Sequence, residues 1–237
     1  MSAKADSVPR VVVVTGAFGC LGVTVARSFA KLGDQVALVD RVAAPKSLQD
    51  EFAAGHLALG GIDLAALAPA RAAIDEVRRR LGPPDVLVNV AGGFRWQSCA
   101  DGDLEGWDEM YAANLRTAVI ACKVVLEYMV ERKTGHIVNV GAAAAQRATA
   151  GMGAYAASKS GVLRLTESLA EELKDEGIAV NAVMPSIIDT PANRAAMPKA
   201  DFTRWVSPES VAEVIAFLAS EAARGVRGAA VPVVGLR

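Results

Sequence analysis

Strand-like and helix-like stretches alternate along the chain, and that alternation predicts an α/β protein: a parallel β-sheet layered between helices. Short β-branched runs, residues 11–14 the clearest, read as strands buried on both faces. Longer stretches of helical period, such as residues 21–32, separate them. Thr15, Asp40, Asn89, Gly92, Gly141 and Pro185 all fall where strands should end, and such sheets bind ligands outside the carboxyl ends of their strands.

Taken in order, the first strand stops at Thr15 and Gly16, and the helix after it is closed by Gly33. Residues 35–40 form a second strand that ends on Asp40. Strands near 57–62 and 85–90 bracket a charged helix at 67–81. A long helical stretch, 104–132, leads into a strand at 136–140. The helix bearing Tyr155 (153–174) precedes a strand at 178–183. Residues 185–207 read as an irregular, proline-punctuated segment, a candidate lid over a cleft. A helix at 208–220 and a strand at 229–234 complete the chain. With no repeat, linker or low-complexity tract, residues 1–237 read as one domain.

Composition narrows the function. The hydrophobic share of 52% supplies a core, and the aromatic share of 5% makes that core one of Ala, Val and Leu. A net charge of −1 without a basic tract argues against nucleic acid. No apolar run approaches the roughly 20 residues of a membrane span, and MSAKADSVPR lacks the apolar core of a signal peptide; a cytoplasmic protein is expected. Cys20, Cys99 and Cys122 are scattered and His56 and His136 are far apart, so neither a disulfide framework nor a metal site is supported.

The turn TGAFGCLG places Gly16, Gly19 and Gly22 between a strand and a helix. Glycines there let the backbone approach a pyrophosphate, whose charge the helix N-terminus stabilises. Asp40 ends the next strand, 18 residues after Gly22. A carboxylate there accepts hydrogen bonds from ribose hydroxyls and repels a 2′-phosphate, so NAD(H) is expected. The adjacent Arg41 leaves NADP(H) open. Tyr155 and Lys159 stand at i and i+4 of one helix and share a face. An ammonium beside a phenol favours the phenolate, so Tyr155 is expected to exchange a proton near neutral pH.

TGAFGCLG, Asp40, Asp63 with Leu64, NVAG at 89–92, Asn114 and YAASK together resemble the short-chain dehydrogenase/reductase family over nearly the whole chain. The resemblance implies a Rossmann-type domain with a seven-stranded sheet, a nicotinamide cofactor and hydride transfer to or from a small molecule. Tyr155 would be the general acid/base. Lys159 would bind the nicotinamide ribose and lower the tyrosine pKa, and Asn114 would kink its helix and hold a water of the proton relay. The turn from Gly16 through Phe18, Gly19, Cys20 and Leu21 to Gly22 would cradle the pyrophosphate. Asp63 would contact the adenine beside Leu64; Asn89 would brace the sheet at the cofactor, and Ala91 and Gly92 would line it. Pro185, Ile188 and Thr190 would meet the nicotinamide end. Family members form homodimers or homotetramers through the two long helices, and the same is implied here.

Two positions depart from the pattern. Cys20 replaces the middle glycine of the turn, which puts the pyrophosphate geometry in question. Ala142, 13 residues before Tyr155, replaces the family's catalytic serine, whose hydroxyl donates to the oxygen that gains charge. A branch of the family that resembles the chain closely, the quinonoid dihydropteridine reductases, also lacks that serine and prefers NADH. The likeness rests on residues 90–94, 141–145, 149–155 and, above all, DTPANRAAMPKADFTRW at 189–205. Phe94 or Trp96 would then stack on a planar substrate, with Ala142 and Arg194 nearby. The alternatives are an ordinary alcohol or ketone substrate, and a dinucleotide-binding sensor or scaffold that has lost catalysis.

Overall fold

A computed structural model describes residues 9–235; residues 1–8, with most of the N-terminal stretch read above, lie outside the described residues. Seven parallel strands form one sheet: β1 (Val11–Thr15), β2 (Gln35–Val39), β3 (Leu57–Leu59), β4 (Val86–Asn89), β5 (Gly135–Val140), β6 (Ile178–Pro185) and β7 (Ala230–Val233). Their order is β3-β2-β1-β4-β5-β6-β7. The order reverses between β1 and β4, which opens a crevice where chain leaves the sheet in opposite directions, the place where such sheets take ligands.

The β-branched runs become strands because both faces of the sheet are covered. Val13 packs under α3 (Leu67–Arg80), α5 (Thr117–Arg132) and α6 (Gly153–Glu172). Val12 and Val14 pack under α1 (Cys20–Lys31), α2 (Lys46–Glu51) and α8 (Pro208–Leu218). Alternate residues of each strand thus enter opposite cores, so the strands are mostly apolar on both faces, and the buried amides of Asn89, Asn139 and Asn181 are hydrogen-bonded there. No helix among the described residues is long and apolar enough to cross a membrane. Among the described residues no cluster of His, Cys, Asp and Glu is placed to hold a metal ion.

Three expected elements differ. The stretch 104–132 is not one α-helix: α4 (Leu104–Met110) and α5 are joined by a π-helical segment, Tyr111–Arg116, that contains Asn114. The wider turn accompanies the side-chain bonds Asn114 makes toward β4, described below. Residues 185–207 are not wholly irregular. They hold α7 (Pro191–Ala196) and a 3₁₀ turn, Phe202–Arg204. The sequence carried a start signal there, since the Thr190 hydroxyl accepts from the Asn193 N–H and Pro191 follows the cap. The short helix α2 was not anticipated, because it is short and begins on Pro45 with no side-chain cap.

His136 lies in β5 at the end of the sheet away from the crevice, with its Nε2 3.8 Å from a Glu221 carboxylate oxygen. Burial holds its imidazole below the ordinary value of 6.5, against the opposing pull of Glu221. The unfolded chain therefore takes up a proton at a higher pH than the folded one, and stability falls as pH drops through about 6.5. The urea midpoint should fall between pH 7.5 and pH 5.5, and His136→Gln should reduce that fall; an equal fall in both proteins would remove His136 as its source.

Candidate active site

The crevice is a cleft of about 590 Å³. It runs from Asp40, Arg41 and Val42 on one side, over the glycine turn, to Ala91–Phe94 and the π-helical segment on the other. Two glycines of the turn are there by steric necessity. Gly16 has φ +61°, and a Cβ on it would lie 2.7 Å from the Ala91 backbone. A Cβ on Gly22 would lie 2.2 Å from the Gly16 carbonyl oxygen. Gly19 differs: a Cβ there would meet only ordinary contact at 3.5 Å. Cys20 is the first residue of α1, capped by Gly19, and needs no left-handed backbone. The substitution therefore leaves the turn intact, and Cys20 itself does not line the cleft.

The Asp40 carboxylate is fixed at the cleft wall, accepting from the Phe18 N–H at 2.9 Å and the Val42 N–H at 3.2 Å. Both oxygens keep lone pairs for hydroxyl donors. Arg41 beside it lines the cleft and makes no ion pair among the described residues. Asp63 accepts from the Ala65 N–H at 2.9 Å and sits in the wall with Ile62 and Leu64. Val42, Ile62 and Ala65 give this end an apolar slot that the motifs did not reveal, although Ile62 directly precedes Asp63.

Asn89 does not reach the cleft. It is buried, donating to Asn139 Oδ1 at 2.9 Å and to the Cys122 sulfur at 3.3 Å, and Asn139 in turn donates to Thr166 of α6. It serves as a strut joining β4, β5 and two helices. Thr15 adds a further tie, its hydroxyl accepting from the Ala91 N–H at 3.2 Å.

At the other end, Asn114 is 1% exposed and clamps both backbone polar groups of one residue of the β4 loop, Gly93. Its Oδ1 accepts from the Gly93 N–H at 3.0 Å, while its Nδ2 donates to the Gly93 carbonyl at 3.1 Å and to the Ser158 hydroxyl at 3.0 Å. A Cβ on Gly92 would lie 2.5 Å from Asn114 Oδ1 and 3.2 Å from Lys159 Nζ. Glycine at 92 thus brings the amide and the ammonium directly behind the cleft wall. The Lys159 ammonium donates to the Val140 carbonyl at 2.8 Å.

The Tyr155 ring meets the Phe94 ring edge-on, with centroids 5.0 Å apart. Phe94 lines the cleft and is 57% exposed, so the phenol stands behind an aromatic gatepost at the cleft end. The expected lowering of the phenol's pKa by Lys159 is not what the structure shows. Burial pushes Tyr155 above its ordinary value, and burial pushes Lys159 down to about 8. Both groups lose hydration, which penalises the charged form of each, and the ammonium is turned to strand β5.

Other residues proposed from the sequence are placed elsewhere. Trp96 does not line the cleft: its Nε1 donates to the Ala150 carbonyl at 3.2 Å, and its ring covers Gly151, where a Cβ would collide with it. It fastens the β4 loop to the loop that leads into α6. Arg194 pairs with Asp189 at 2.6 Å and lies over the Phe202 ring, inside the 185–207 segment. Thr190 caps α7, and Ile188 bridges to Val206. Ala142 is buried and extended, with no hydroxyl to offer. Pro185 closes β6 and, like Ile188 and Thr190, is outside the cleft lining.

The family profile for short chain dehydrogenase matches residues 10–201. The chain is 33% identical to a 2-(S)-hydroxypropyl-CoM dehydrogenase of Xanthobacter autotrophicus over 95% of each chain. It is 33% identical to D-threitol dehydrogenase of Mycolicibacterium smegmatis, covering 93% of this chain and 89% of that one. It is 35% identical to a 3-oxoacyl-[acyl-carrier-protein] reductase of Thermotoga maritima, covering 68% of this chain and 69% of that one. None of these three relatives is named as a dihydropteridine reductase, the branch to which residues 189–205 pointed. A cleft with a glycine turn at one end and a Tyr-Lys-Asn group at the other, together with this match, shows that the chain belongs to the short-chain dehydrogenase family and is an NAD(P)-dependent oxidoreductase.

Proposed function

We propose that the protein interconverts a small carbonyl compound and its alcohol with NAD(H), and that residues 1–237 act as one catalytic domain. The observation that carries this reading is the Tyr155–Phe94 contact: the phenol is outside the cleft lining itself but stands directly against Phe94, a ring of the cleft wall. Relatives named for a hydroxypropyl and a 3-oxoacyl compound favour the same chemistry.

Bound nicotinamide dinucleotide supplies or accepts the hydride. The chain's residues suit it: Gly16 and Gly22 leave room only for backbone at the pyrophosphate, with the N-terminus of α1 facing it. Asp40 accepts from the adenosine ribose hydroxyls and disfavours a 2′-phosphate. Lys159, whose ammonium lies behind Gly92, would be the residue to hold the nicotinamide ribose. Tyr155 is neutral in the free protein because burial raises its pKa, so its resting form is the acid that reduction needs. Alcohol oxidation needs the phenolate and gains as pH rises.

A second reading keeps a quinonoid dihydropterin as substrate. Ala142 favours it, since a conjugated C=N system that takes up hydride and proton forms no alkoxide for a serine to stabilise. Assembly as a homodimer or homotetramer through the α4–α5 and α6 layer fits the exposed Tyr111, Val119 and Val130.

Three measurements test these roles. Tyr155→Phe should lower kcat for ketone reduction by about 10²–10⁴, the usual worth of general acid catalysis; unchanged kcat would remove the phenol from the chemistry. Asp40→Ser should lower the ratio of kcat/KM for NADH to that for NADPH by about tenfold or more, whereas an unaltered ratio would detach Asp40 from cofactor choice. Lys159 is held to about 8, and donation to ribose oxygens favours its charged form, so NADH affinity should weaken as pH rises through about 8. Lys159→Met should flatten that profile, and a wild-type affinity constant from pH 7 to 9.5 would contradict the role.

A further inference from the structure

The phenol of Tyr155 lies behind Phe94 in the cleft wall, so the way from the cleft to the proton donor passes that ring. We propose that Phe94 is the specificity-determining residue of the site, a fixed ring that admits to Tyr155 only carbonyl compounds with a small substituent on one side of the carbonyl carbon. This rests on the carbonyl–alcohol reading above and deepens it by naming the substrate class.

The first support is where the ring stands. Phe94 is part of the cleft lining and Tyr155 is not. The two rings meet almost at right angles, 85°, with centroids 5.0 Å apart. A substrate oxygen that reaches the phenol hydroxyl from the cleft therefore brings its carbon alongside Phe94, and one of the two substituents on that carbon has to lie against the ring. The other points away, into the open cleft.

The second support is that the ring is held in place, because the residues around it are fastened. Gly93 is clamped by Asn114 through both of its backbone polar groups. Arg95 pairs with Asp103, the cap of α4, at 2.8 Å and with Glu109 of α4 at 3.3 Å. Trp96 donates to the Ala150 carbonyl, and the Gln97 N–H donates to the Gly151 carbonyl at 2.9 Å. The Gln97 side chain donates in turn to the Asp103 carbonyl at 3.0 Å. Residues 93–97 are thus tied to the π-helical segment, to α4 and to the loop that leads into α6, the helix of Tyr155 itself. Arg95, Trp96 and Gln97 are outside the cleft lining, so Phe94 carries the side chain that this segment presents to the cleft. The edge-on contact with Tyr155 is a favoured aromatic geometry and would be forfeited if the ring swung aside. Phe94 acts by exclusion alone: hydride comes from the cofactor, the proton comes from Tyr155, and no bond to Phe94 forms or breaks.

The test uses the full chain and two isomeric ketones, methyl pentyl ketone and dipropyl ketone, which differ in whether the carbonyl carbon carries a small substituent. In NADH-driven turnover the wild type should prefer the methyl ketone in kcat/KM by about tenfold or more, the usual worth of methylene groups that a pocket rejects. Phe94→Ala should remove most of that preference. A second readout needs no turnover: tetranitromethane nitrates accessible phenols, and peptide mass spectrometry locates the product. Tyr155 should be nitrated faster in Phe94→Ala than in the wild type, while Tyr111 and Tyr128 react alike in both, and circular dichroism shows that the variant is folded. A preference that survives Phe94→Ala, a wild type that reduces both ketones without preference, or equal nitration of Tyr155 in the two proteins would overturn the proposal. A wild type that binds NADH but reduces neither ketone defeats the carbonyl–alcohol reading alone, and the nitration comparison then still decides whether Phe94 guards Tyr155.

Discussion

The backbone contact between the glycine turn and the tip of β4 is the constraint on which the site depends. A Cβ at Gly16 would sit 2.7 Å from Ala91, and one at Gly22 would sit 2.2 Å from the Gly16 carbonyl. With both positions bare, the chain leaving β1 and the chain leaving β4 pass in close contact at the reversal point of the sheet, and α1 starts from the same turn. The result is a wall of peptide groups with the helix N-terminus beneath it, which suits a pyrophosphate and leaves no room for larger side chains. Thr15 ties the same two strand tips through the Ala91 N–H, and Asn89 continues the tie to β5 and α6.

The chemical end is built on the same economy of space. Glycine at 92 lets Asn114 and Lys159 come up behind the wall, and the π-helical segment gives Asn114 the reach to hold both polar groups of Gly93. The Gly93 peptide in turn sets Phe94, whose ring rests on the edge of Tyr155. Burial keeps both titrating groups near neutrality: a neutral phenol, and an ammonium held to about 8. Burial thus favours the proton-donating form of the phenol, and a partner for the ammonium on a dinucleotide ribose would favour the charged lysine.

Much of this was legible in the sequence because each feature has a local cause. Buried parallel strands need unbroken β-branched runs, and a strand-to-helix turn over a phosphate needs glycine. Asp40 was legible because it ends a strand at a set distance from that turn. Tyr155 and Lys159 share a helix face through spacing alone. What escaped was decided by tertiary contact. Only the fold brings Trp96 onto Gly151 and Arg194 onto Asp189, which takes both from the cleft. The lysine's effect on the phenol looked attractive from spacing but gave way to burial of both groups. Cys20 looked like a defect, yet the position is an ordinary helical one whose neighbour carries the cap.

The most direct measurement of the central claim is a fluorescence titration of NADH into the wild-type chain and into Gly22→Ala, with circular dichroism to show that both are folded. The account expects saturable binding of one NADH per wild-type chain and at least tenfold weaker binding in the folded variant, because the added methyl pushes the Gly16 peptide out of the turn. A folded wild type that binds no NADH, or a variant that binds as tightly as wild type, would contradict it.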